Sequence, residues 1–107
     1  MEIYVLLSNL VFSPLETNMW YTYVLQSKKD SKYYTGSTGN IRKRLKKHEE
    51  GRVVSTRERL PISLVYCEIC NNQGDAYVRE KYLKTGMGKR YIRNRIKRFL
   101  SLTGCIC

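Results

Sequence analysis

Six stretches of the chain carry a hydrophobic pattern, three with strand period and three with helix period. Trp20 to Leu25 (WYTYVL) is aromatic and β-branched and reads as a strand. The polar stretch Ser27 to Ser31 reads as a hairpin loop, and Lys32 to Thr35 as the returning strand. Gly36 and Gly39 free the backbone for a sharp turn into a helix, which Asn40 caps and which runs from Ile41 to Glu50. Ile41, Leu45 and His48 share a stripe of that helix with Arg44, and Gly51 stops it. Residues 52 to 61 (RVVSTRERLP) form a basic loop ending at Pro61.

Ser63 to Cys70 (SLVYCEIC) reads as a third strand. Asp75 is a candidate N-cap for a second helix from Ala76 to about Lys84, with Ala76, Tyr77, Glu80, Leu83 and Lys84 on one side. Gly86 and Gly88 break it. Lys89 to Leu100 is a third helix, with Tyr91 or Ile92, Ile96, Phe99 and Leu100 turned inward. The order β-β-α-β-α-α, opened by a hairpin, predicts an α+β fold: a three-stranded antiparallel sheet flanked by helices. Residues 1–18 read as an N-terminal extension ahead of a domain beginning at Met19, and residues 101–107 as a short tail.

Charge narrows the partner. The formal net charge is +11 in 107 residues, and all twenty Lys and Arg side chains lie after residue 18. That excess on one small domain, with nine tyrosines, favours a polyanion over a merely solvated lysine-rich face. No apolar run is long enough to span a membrane, and residues 1–18 lack the basic start of a signal peptide, so the expected location is the cytoplasm, on or near the nucleoid in a bacterium. Cys67-x-x-Cys70 and Cys105-x-Cys107 could serve zinc only if all four met. The first pair sits within a strand pattern with no turn residue between its cysteines, so reduced thiols are the ordinary expectation.

Some residues fit packing poorly. Arg44 and His48, the only histidine, stand one turn apart on a basic helix and so share a side. A guanidinium suits a phosphodiester because it forks onto two oxygens and stays charged. Glu80 interrupts a semi-apolar stripe; it is either an ordinary ion pair with Lys84 or Lys81 or a functional carboxylate facing Arg44 and His48. The tyrosines fill strand faces, but a phenol beside a cation gives up its proton more readily than its ordinary value of about 10 implies.

Taken in order, Tyr21-Thr22-Tyr23, Tyr34-Thr35-Gly36, Arg44, His48 and Glu80 resemble the signature of the GIY-YIG nuclease superfamily. WYTYVLQS, YYTGSTGNIRKRLKKHEEG, Ser55-Thr56-Arg57 before Pro61, LVYCE and REKYLKTGMGKR are similar to its small stand-alone bacterial branch, often labelled UvrC-like or excinuclease-like. The likeness covers about Met19 to Leu100, with Tyr21, Thr22 and Thr35 departing from the letters of the name. It implies a metal-dependent endonuclease that nicks DNA in repair or processing. Glu80 would hold one divalent ion, Mg²⁺ or Mn²⁺, and Tyr23 would take a proton from water with Tyr34 lining or assisting. Arg44 would stabilise the transition state and His48 orient water, Tyr34 or phosphate. Gly36 would serve the turn.

Arg42, Lys43, Lys46, Lys47, Arg52, Arg57 and Arg59 would grip the nucleic-acid backbone by counterion release. Nothing resembles a base-reading module, so specificity would rest on DNA shape such as branches, flaps or single strands, with RNA a further possible substrate. The enzyme would act as a monomer or weak dimer. A catalytically silent nucleic-acid-binding module with the same fold is the alternative reading, and a small zinc protein the third.

Overall fold

The computed structural model describes residues 19–98. The extension 1–18, Phe99, Leu100, Cys105, Cys107 and the tail lie outside the described residues. Three strands, β1 (Trp20–Ser27), β2 (Tyr33–Thr38) and β3 (Ile62–Cys70), form one antiparallel sheet in the order β2-β1-β3. Three helices accompany it: α1 (Ile41–Glu49), α2 (Gln73–Leu83) and α3 (Gly86–Arg95), with a short 3₁₀ turn at Arg57–Arg59. The expected α+β architecture and its order are what the chain adopts.

β1 is central and covered on both faces; Tyr21 to Ser27 are all buried, and the polar side chains among them, Thr22, Gln26 and Ser27, are hydrogen-bonded. Tyr21, Tyr23 and Leu25 point to one side, where they meet Ile41 and Leu45 of α1. Val24 points to the other, where it meets Leu83 of α2 and Ile92 and Ile96 from α3 and its end. The sheet is therefore the middle of three layers. The tandem tyrosines divide between the layers: Tyr34 packs with the α1 side and Tyr33 with the α2–α3 side.

Several boundaries differ from the expected ones, each for a local reason. β2 runs on through Gly36 to Thr38, so Gly36 is a strand residue paired with Tyr23 and not a turn residue. Only Gly39 bends the chain into α1, where the Asn40 side chain accepts from Lys43 N as expected. Gly51, at φ 73°, ends that helix. The N-cap of α2 is Asn72 and not Asp75: the Asn72 side chain accepts from Asp75 N at 2.8 Å. The break after α2 belongs to Thr85, whose hydroxyl caps α3 by accepting from Gly88 N. Gly86 and Gly88 thus lie inside the first turn of α3. Gly88 is there because a β-carbon would collide with the Tyr82 carbonyl and the Leu83 backbone. The semi-apolar side of α2 is not uniformly covered, for Ala76 and Leu83 are buried whereas Tyr77 is 51% exposed.

Two polar links fix α2 on the sheet. The fully buried Thr22 hydroxyl donates to the Ala76 carbonyl at 2.9 Å. Arg79 Nε reaches both carboxylate oxygens of Glu68 on β3, at 2.9 and 3.0 Å, with its guanidinium lying over the rings of Tyr82 and Tyr91. Cys67 and Cys70 are free and, three apart in a strand, face opposite sides of the sheet. Burial, then the Glu68 charge, pushes the Cys67 thiol up to about 12. No group of three metal-ligating side chains occurs among the described residues.

Candidate active site

The site lies at the β2 edge of the sheet and draws on both outer layers. Its starting point is the pairing of Tyr23 with Gly36 across β1 and β2. A β-carbon on Gly36 would sit 2.5 Å from the Tyr23 hydroxyl oxygen. The missing side chain therefore lets the phenol lie across the edge strand, with its ring buried and its hydroxyl in a pocket.

Two side chains of α1 hold that hydroxyl. Arg44 donates to it through Nε at 3.2 Å, and His48 Nε2 lies 3.1 Å away. The His48 ring stands edge-on to the phenol and is only 3% exposed. Its other nitrogen, Nδ1, lies 2.7 Å from the hydroxyl of Thr56, which is fully buried in the loop before the 3₁₀ turn. Burial, and secondarily the Arg44 charge, lowers His48 to about 4, so the ring is neutral at ordinary pH. A neutral imidazole has one donor and one acceptor nitrogen, and these two contacts use both.

Glu80 enters from the opposite layer. Its carboxylate accepts from Ser37 Oγ at 2.7 Å and pairs with Lys84 Nζ at 2.8 Å. The i, i+4 ion pair expected as the plain alternative is present, and the same carboxylate lines the pocket that holds Tyr23, Arg44 and His48. The pocket has a volume of about 220 Å³, below the range of enclosed small-molecule sites, and suits a segment of a longer ligand. The ring of Tyr34 forms part of its wall, while the Tyr34 hydroxyl donates toward Asp30 at 3.4 Å.

The five residues singled out for chemistry thus share one cavity. None of the seven bases proposed for backbone contact lines it. Arg52 pairs with Glu50 at 3.3 Å and Arg59 with Asp30 at 3.1 Å. Thr56 and Ser37 belong to the site and were not legible as such, each being an ordinary surface-type residue whose part depends on a contact across the fold. Lys84 joins the site through the ion pair that helical spacing offered.

A divalent ion of the hard, oxygen-preferring kind fits this donor set. Glu80 offers a carboxylate and Ser37 a hydroxyl oxygen at the pocket wall, and such an ion keeps several waters and needs only one or two protein carboxylates beside a phosphate. A zinc-type site of several nitrogen or sulfur ligands does not fit it.

The family model of the GIY-YIG catalytic domain matches residues 19–92. The UPF0213 protein of Bacillus licheniformis is 45% identical over 71 residues, covering 65% of this chain and 72% of that one. The UPF0213 protein of Clostridium perfringens is 45% identical over 67 residues, covering 62% and 71%. The UPF0213 protein YazA of Bacillus subtilis is 34% identical over 71 residues, covering 65% and 71%. Those names state no activity, and no solved structure matches the chain. The ordered motif, the three-layer fold and the family match agree, and the chain belongs to the GIY-YIG family of nuclease catalytic domains.

Proposed function

We propose that the protein is a metal-dependent endonuclease that hydrolyses DNA phosphodiester bonds one strand at a time, with low sequence specificity. The observation that carries this reading is the Tyr23 hydroxyl, held between a cationic donor and a neutral imidazole in a pocket shared with a carboxylate.

In this reading the imidazole carries its proton on Nδ1 and donates it to Thr56 Oγ1, which leaves Nε2 to accept from the Tyr23 hydroxyl. The remaining lone pair of the phenol oxygen faces the pocket. As water attacks phosphorus, its proton passes to the Tyr23 oxygen and the phenolic proton passes to His48 Nε2. The low proton affinity of His48 in the free protein opposes that transfer. A bound phosphodiester adds negative charge beside Arg44 and His48 and favours the charged imidazolium. Arg44 meets the charge that grows on the phosphoryl oxygens, in a site already arranged for it. Tyr34 and Ser55 line the pocket. Glu80 would hold one divalent ion, Mg²⁺ or Mn²⁺, which when bound supplies charge neutralisation at the phosphate and the departing 3′ oxygen. Lys84 must yield its place on Glu80 for this, and Ser37 keeps the carboxylate oriented.

Supercoiled plasmid with Mg²⁺ or Mn²⁺ tests the reading. Wild-type protein is expected to convert it to the nicked circle, and Glu80→Ala and Arg44→Ala each to lose at least about a hundredfold in rate. Nicking that persists in both variants removes the proposed site. Wild-type protein that retards DNA in a gel without cutting it is instead a silent binding module.

A further inference from the structure

The pocket around Glu80 continues along the outer side of β2. A second cavity, of about 250 Å³, shares Tyr34 and Lys84 with it and adds Tyr33 and Lys89. A third, of about 360 Å³, shares Tyr33, Tyr34 and Lys89 with the second and adds Lys32 and Arg93. The three form one groove between the start of β2 and α3. Among the described residues Glu80, at the inner end, is the only acidic side chain lining it; Asp30 lies beside the outer end, bonded to the Lys32 amide and paired with Arg59. Lys84 is bound to Glu80, whereas Lys32, Lys89 and Arg93 are exposed and take part in no ion pair among the described residues.

The groove follows an edge strand whose outer side pairs with no strand among the described residues. Lys89 and Arg93 are one turn apart on α3, so they project to one side with an axial rise of about 6 Å. A row of cations along an unpaired strand edge suits a sugar-phosphate backbone. None of these four cations belongs to the basic set that the sequence pointed to, which lies on α1 and the loop after it.

We infer that this groove holds the backbone of the strand being cut, on one side of the scissile phosphate, with Lys32, Lys89 and Arg93 as its phosphate contacts. The inference rests on the endonuclease reading for which strand enters. Its own content is the path that strand takes.

The test uses the full chain carrying Glu80→Gln, which separates binding from cleavage, and a fluorescein-labelled single-stranded DNA of about 20 nucleotides. The dissociation constant is measured across a salt series, with and without Lys89→Ala and Arg93→Ala together. Each phosphate contact contributes about 0.7 to the slope of log K against log salt for a single strand, so the double variant is expected to flatten it by about 1.4. The charge-preserving pair Lys89→Arg and Arg93→Lys should restore the slope, which a fold defect would not allow. An unchanged slope overturns the inference, as does a slope that responds only to Lys43→Ala with Lys46→Ala on α1. If a polyglutamate peptide responds to the double variant and the oligonucleotide does not, the groove takes acidic peptide and the inference falls. Absence of any oligonucleotide binding by the Glu80→Gln protein removes the endonuclease reading as well.

Discussion

On the proposed reading, the chemistry rests on Tyr23 and the side chains around its hydroxyl, Arg44 and His48. Tyr23→Phe removes one oxygen from a ring that is otherwise buried, so nicking should fall about a hundredfold or more while stability changes by no more than about 1–2 kcal/mol. Plasmid assays beside thermal melts check this. Gly36→Ala should do similar damage from the opposite strand, because the new methyl and the phenol oxygen cannot both keep their places. Its expected cost is about 1–3 kcal/mol, with the sheet retained by circular dichroism. His48 adds a pH signature. Its folded value, about 4, lies below the unfolded value of about 6.5, so the unfolded chain binds the extra proton between these limits. The stability from His48 is therefore full above about pH 6.5 and lost as pH falls toward 4, up to roughly 3 kcal/mol. Asp30, held below the usual carboxylate range chiefly by the Lys32 amide, loses its contribution only at lower pH than this window. The difference between wild type and His48→Gln isolates the histidine, and a difference that is flat with pH contradicts the assignment. Arg44 and His48 were legible because helical spacing projects directly onto a face. The part played by Gly36 was not, because a glycine after an aromatic run reads as a turn until its partner across the ladder is known.

At the scale of elements, α2 is where local pattern and final structure diverge most. Its boundaries rest on Asn72 and Thr85, two caps that compete in sequence with the equally plausible Asp75 and with a glycine pair. Propensity cannot separate these, since the choice between them is made by which backbone N–H each side chain reaches. Gly88 has the same origin: helix propensity argues against it, and the close crossing of α3 over the end of α2 requires it. Gly88→Ala should therefore destabilise by about 3 kcal/mol, whereas Gly86→Ala, with open space around it, should be neutral or stabilising by up to about 1 kcal/mol. Chemical denaturation of the two variants side by side checks the pair. Thr22 stands where the family name has isoleucine. That departure supplies the buried hydroxyl that ties α2 to β1 immediately beside Tyr23.

For the whole molecule, the strand runs, the order of elements and the excess of positive charge were legible, since each depends on local pattern or simple counting. The three-layer arrangement was not, and neither was the groove along β2, because no local pattern says which face of a sheet a later helix will take. Among the described residues no helix is long and apolar enough to cross a membrane. The placement of the pocket has one more consequence. Tyr23 comes from the sheet and Arg44 and His48 from α1, all in the first half of the chain, and Glu80 comes from the layer on the opposite face. On the proposed reading no single layer holds the complete set of reacting groups, so chemistry should monitor the docking of the layers more sensitively than secondary structure does. In a urea series, nicking should vanish at a lower concentration than the loss of far-ultraviolet ellipticity, and coincident midpoints would show the layers to be one cooperative unit. On the proposed reading the chain is inert while incomplete: during synthesis Tyr23, Arg44 and His48 emerge well before Glu80, the carboxylate assigned to the metal.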